Sequence, residues 1–152
     1  MESPSSGLVS TQRCRAVQNA FLRPLLRKSD ASLALMNLRT GRVLAHSLAG
    51  AFDSRTRRTG LLGRDRLERD HALIIAPTNA VHTFFMRFAI DVAFVQKDGR
   101  VVRAHHAVKP WRIAGAFRGY AAIELPAGTL ADSGTVKGDQ LIITTAPQMT
   151  MF

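Results

Sequence analysis

Five side chains able to bind or transfer charge stand where a fold could gather them: His82, Asp91, Trp111, Arg112 and Glu124. An imidazole titrates near neutral pH, a carboxylate accepts or donates protons, and a guanidinium makes paired hydrogen bonds to carboxylate or phosphate. An indole beside them supplies an aromatic wall. Such a set suits recognition of a small anionic, planar or peptide-like ligand. The same carboxylates and His82 could instead work as acid and base on that ligand. The plainer alternative is an ion pair that steadies the end of a strand, with Trp111 as a lid over the core.

These residues surround a hairpin. Asp98-Gly99 lies between two runs rich in β-branched residues, 91–96 and 101–108, the strongest turn signal in the chain. A two-residue loop sets Lys97 against Arg100, Val95 against Val102, Val92 against His105 and Asp91 against His106. A one-residue bulge brings His105 opposite Asp91 instead. In either register a carboxylate and an imidazole meet at the open end, followed by Pro110, Trp111 and Arg112. Arg64, Arg87, His105 and His106 are the candidate supporting residues. If 81–88 is extended, His82 shares a face with Phe84, Met86 and Phe88. A lone imidazole on an apolar face is usually a core histidine with a satisfied hydrogen bond. Arg87 reaches Asp91 only if the backbone bends between them. Glu124 alternates with Ile123 and Leu125, so an apolar interior around it would demand a cation such as Arg112 or Arg64.

Other chemistries find little support. Adjacent His105 and His106 point to opposite faces of a strand, so no metal site is expected. No nucleotide loop, zinc-protease motif or nucleophile elbow occurs, and no cofactor is expected. Cys14, the one cysteine, excludes an intrachain disulfide framework and reads as a spare thiol. Phe84, Phe85 and Phe88 around Arg87 make a weak stacking platform for nucleic acid, since most phenylalanines in a chain of this size belong to the core.

The elements that must position these groups are short. Residues 32–38 and 42–46 read as paired strands around Gly41, and Asp53 or Ser54 caps a short helix closed by Gly60 or Gly63. Arg55, Arg57 and Arg58 sit at the start of that helix, the unfavourable end for cations, unless they are solvated or contact something acidic. Residues 71–76, 81–88, 91–96, 101–108, 120–125 and 140–145 read as further strands, with a helical turn over 129–133. Frequent Gly and Pro turns with only two or three short helices define a mainly β fold, an antiparallel β barrel or jelly-roll-like sandwich. The expected organisation is an N-terminal extension over 1–31, partly disordered or helical, a single β domain over 32–146 and a tail over 147–152.

Composition bounds the rest. A length of 152 residues suits one domain. The net charge of +10 falls unevenly, +7 over residues 1–70 and +3 over 71–152. That leaves a second function open, docking of the basic N-terminal section on RNA or an acidic partner. Arginine outnumbers lysine seventeen to four, a bias that a GC-rich genome also produces. The polar start, Met1 to Thr11, is no secretion signal, and no run reaches the ~18 apolar residues of a membrane helix. The sequence therefore reads as cytoplasmic, with no membrane partner.

Taken in order, Gly60-Leu-Leu-Gly-Arg64, His82-Thr-Phe-Phe-Met-Arg-Phe-Ala-Ile-Asp91, Asp98-Gly-Arg-Val-Val, Lys109-Pro-Trp-Arg112, Glu124-Leu-Pro-Ala-Gly128 and Gly138-Asp139 resemble one prokaryotic family. That family is domain of unknown function 192, an uncharacterised ancient conserved region, and the resemblance covers residues 32–146. It departs at Ala89, where related sequences often carry proline, which alters the rigidity of the 88–90 bend and not the fold. The resemblance implies a compact β sandwich or jelly-roll-like barrel and carries no activity, cofactor or site residue. The expectation is a non-catalytic module that binds a small anionic or peptide-like ligand.

Overall fold

The structure, a computed structural model, describes residues 20–27 and 31–146. The first element among the described residues, α1 (Arg23–Leu26), holds Pro24 in its first turn, where the missing N–H would find no helical partner. Ten strands follow among the described residues. Strands β1 (Leu33–Asn37), β2 (Val43–Ala45) and β3 (Ser47–Ala51) precede α2 (Ser54–Thr59). Next come β4 (His71–Ile75), β5 (Ala80–His82), β6 (Ile90–Val95), β7 (Val101–Val108), β8 (Ile113–Gly115) and β9 (Ala121–Pro126). Helix α3 (Thr129–Ser133) and β10 (Leu141–Thr145) are the last elements among the described residues.

The fold is mainly β, as the strand pattern predicts, but it forms no closed barrel. The described residues form three sheets, in the orders β10-β1-β2, β3-β4-β9-β6-β7 and β5-β8. Nor is the pairing wholly antiparallel, since β3 runs parallel to β4. Parallel neighbours need a long crossover, and residues 52–70, with α2, supply it. The sequence reading missed this unit because Ser47-Leu-Ala-Gly-Ala51 contains no β-branched or aromatic residue.

The five-stranded sheet separates two apolar layers. On one side Ile74, Ala93, Val95, Ile123 and Leu125 pack with Leu35, Leu44, Leu141 and Ile143 of the three-stranded sheet. On the other side Leu73, Ile75, Val92, Phe94 and Ala122 pack with Leu61, Leu67, Met86 and Ala114. Central strands β6 and β9 are therefore buried on both faces. Phe21 and Leu22 are buried in the first layer, so packing extends into the segment expected to be an extension. Cys14 and residues 1–19 of the expected extension lie outside the described residues.

The central hairpin differs from the two-residue loop in a specific way. Gln96 N–H donates to Arg100 O (2.9 Å) and Gly99 N–H to Gln96 O (2.9 Å), which closes a three-residue loop. Gly99, at φ +91°, takes the left-handed position that such loops require. A side chain there would also strike the Leu141 carbonyl and the Phe21 ring. Val95 consequently pairs with Val101, and an irregularity between Phe94 and Val95 restores Val92 opposite His105.

Candidate functional site

Glu124 is the anomaly of the second layer. It sits on β9 opposite Leu73 of β4 and Val92 of β6, both buried and apolar. The alternation that sends Ile123 and Leu125 into the first layer leaves Glu124 only 4% exposed within the second. Its Oε2 is buried without a hydrogen-bond partner. Neither Arg64 nor Arg112 supplies the anticipated cation; the ion pairs among the described residues include Arg39–Asp139, His46–Asp70, Arg66–Glu68 and Arg87–Asp65, none of them with Glu124. Burial alone pushes the carboxyl up to about 7, because an apolar surrounding penalises the charged form.

This carboxyl lines a cleft of about 370 Å³. One wall comes from the α2 segment with Ser54 and Arg57, another from the Leu61-Leu62 turn, and a third from Thr78, Val81 and His82 around β5. The local sequence explains the first wall. Asp53 caps α2 by accepting the N–H groups of Arg55 (2.9 Å) and Thr56 (2.8 Å). Those bonds, led by Thr56, hold the Asp53 carboxyl below its ordinary value. Arg57 is half-buried; it donates to the carbonyls of Phe52 and Ala76 and to Ser54 Oγ, each at 3.4 Å. The Gly60-to-Arg64 motif acquires a role here, since Leu61 and Leu62 are cleft wall.

His82 closes the strand of β5 and lines the same cleft as Glu124. Its Nδ1 accepts the Phe84 N–H (3.3 Å), so the neutral ring carries its proton on Nε2. The imidazole is exposed and does not lie in an apolar strand face. The strand expected over 81–88 ends at His82, because the backbone turns through Thr83 to Arg87 with Phe85 at φ +64°.

The remaining predicted residues do not join this cleft. Asp91 is fully buried and accepts three backbone N–H groups, from Ala107 (2.8 Å), Leu130 (2.9 Å) and Gly128 (3.1 Å). It ties the kinked end of β7 to the start of α3, which is a structural task. Trp111 is 56% exposed and so is no lid over the core. It stacks on Phe84 (5.8 Å) and meets Phe85 at a tilt (4.6 Å), while Phe84 stacks on His82 (4.9 Å). Thr83 knits this turn together. Its Oγ1 donates to Lys109 O (2.6 Å) and accepts Arg112 N–H (2.9 Å), and its carbonyl accepts Trp111 N–H (2.9 Å).

Of the supporting candidates, Arg87 pairs with Asp65 (2.6 Å) rather than Asp91. His105 Nε2 donates to Gly115 O (3.1 Å) and links β7 to β8. His106 and Arg64 are exposed. Among the described residues no cluster of three His, Cys, Asp or Glu side chains could hold a metal ion, and no helix is long and apolar enough to cross a membrane.

Fold and cleft together define a mixed β sandwich with a buried acid beneath a polar-rimmed cavity. The pattern of domain of unknown function 192, an uncharacterised ancient conserved region, matches residues 36–143, and the chain belongs to that family. Two crystal structures share the fold. One, from Sinorhizobium meliloti 1021, is assigned provisionally as a transcription regulator; it is 23% identical with a TM-score of 0.63, over 73% of this chain and 91% of its own. The other, a protein of unknown function from Novosphingobium aromaticivorans DSM 12444, is 21% identical with a TM-score of 0.63, over 72% of this chain and 82% of its own. Among curated proteins nothing matches.

Proposed function

We propose that this protein is a non-catalytic binding module whose cleft takes a small peptide-like ligand. The observation that carries the reading is the buried, partnerless Oε2 of Glu124 on the cleft wall. A buried polar atom without a partner costs roughly 1–3 kcal/mol, and a ligand N–H or ammonium group removes that cost. Arg57 and Ser54 suit the opposite end of such a ligand, a carboxylate or carbonyl. Leu61, Leu62, Val81 and Met86 receive its apolar side chain. A volume near 370 Å³ lies within the range of small-molecule sites. Affinity for an ammonium-bearing ligand rises with pH through about 7, as Glu124 becomes the anion.

Calorimetric titration with dipeptides bearing free, acetylated or amidated ends tests this. Arg57→Ala weakens the free-carboxylate forms about tenfold or more and leaves the amidated forms nearly unchanged. Absence of binding by every dipeptide refutes the proposal.

A second reading uses the same residues. A carboxyl ionising near neutral pH in one cleft with a histidine is suited to proton transfer. It requires turnover that Glu124→Gln abolishes while binding persists; binding without turnover leaves the module.

A further inference from the structure

The segment from residue 100 to 118 contains five cations, Arg100, Arg103, Lys109, Arg112 and Arg118, and no carboxylate. All five are exposed, and none belongs to an ion pair among the described residues. The segment runs from β7, at the edge of the five-stranded sheet, through the Trp111 turn and β8 to the 116–119 loop. At one end of β8, Phe117 is 96% exposed. It lines a groove of about 510 Å³ with Arg103, Arg118 and Lys137, and no carboxylate lines that groove. At the other end, Trp111 and Phe85 form an exposed aromatic pair beside Lys109 and Arg112.

The aromatic pair is built at a conformational cost. Trp111 (φ +65°) and Phe85 (φ +64°) both occupy the left-handed region, which bulky side chains adopt at a penalty. The Thr83 hydrogen bonds hold that turn in place. Strain maintained to display rings in water has no return in core packing.

We propose that the face formed by residues 100–118 binds single-stranded nucleic acid, its cations tracking the phosphates and Phe117 and Trp111 stacking on bases. Cations alone would serve any acidic partner. The exposed rings at both ends of β8 favour a ligand with free flat faces, which a duplex hides and an acidic peptide lacks. The proposal rests on residues distinct from the Arg57–Glu124 cleft and stands or falls apart from it.

Fluorescence anisotropy of the full chain with fluorescein-labelled dT15 and a 15-base-pair duplex tests it between 50 and 200 mM KCl, with unlabelled polyglutamate as competitor. Phe117→Ala weakens dT15 roughly five- to a hundredfold and leaves duplex binding unchanged. Arg103→Ala/Arg118→Ala weakens dT15 and flattens its logarithmic salt slope by about 1.4. Phe117 is exposed enough for its removal to leave folding intact, which thermal melting verifies. The proposal is overturned if Phe117→Ala and Trp111→Ala bind dT15 as the wild type does, or if polyglutamate competes as well as unlabelled dT15. Absence of dT15 binding at 50 mM KCl overturns it equally.

Discussion

Replacing Glu124 by glutamine should remove a specific pH dependence of stability. In the unfolded chain this carboxyl ionises near 4.5, and in the folded protein near 7. The folded state therefore holds the proton more tightly, and its stability falls as pH rises from about 4.5 to about 7. At about 1.4 kcal/mol per pH unit, the cost of ionising Glu124 in place reaches about 3 kcal/mol above that window. For a chain of this size that corresponds to roughly 10 °C in melting temperature. The assay is thermal unfolding by circular dichroism from pH 4 to 8.5 at fixed ionic strength, for both proteins. Every other titratable group is common to both proteins, so the difference isolates residue 124. Relative to its own value at pH 4.5, the wild type should lose about 10 °C more than Glu124→Gln by pH 8. Parallel curves would refute the claim that the carboxyl is buried without a cation.

Three further outcomes follow from the hydrogen bonds of buried side chains. Asp91→Ala leaves three backbone N–H donors without their acceptor at once and should cost at least about 3 kcal/mol in urea unfolding. Thr83→Val should cost about 1–3 kcal/mol and red-shift the emission of Trp111, the one tryptophan, as its turn loosens. Asp139 is held far below the usual carboxylate range, first by its hydrogen bond from Arg39 and then by Val136 N–H and Asn37. Its contribution is complete above about pH 4 and is lost as pH falls below that. The stability gap between wild type and Asp139→Asn should accordingly narrow steadily as pH falls from 4 to 2, in denaturant melts across that range.

Local chemistry carried much of the fold into the sequence. Asp98-Gly99 marked the hairpin, the choice of Asp53 or Ser54 with Gly60 or Gly63 bracketed α2, and the run from Tyr120 to Leu125 before Pro126 marked β9. What escaped was non-local. The β3–β4 pair depends on a long crossover and on residues of low strand propensity. The turn after His82 depends on Thr83 bonding to residues 109, 111 and 112, far along the chain. Alternation placed Glu124 away from Ile123 and Leu125, but only the covering loops decide that its face is a cleft. Arg57 carried a signal, a cation at the wrong end of a short helix, and that signal gave no destination. Asp91 illustrates the converse: a buried aspartate that satisfies backbone N–H groups is indistinguishable in sequence from one that meets a ligand.

The central claim is that the Glu124 cleft is where a small ligand binds. Its most direct test is an NMR titration of the ¹⁵N-labelled protein with the dipeptides, following each backbone amide. The account predicts saturable shifts concentrated at Ser54, Leu61, Leu62, Thr78, His82 and Glu124, and their loss in Glu124→Ala. Shifts confined to other faces, or unchanged by that substitution, would contradict it.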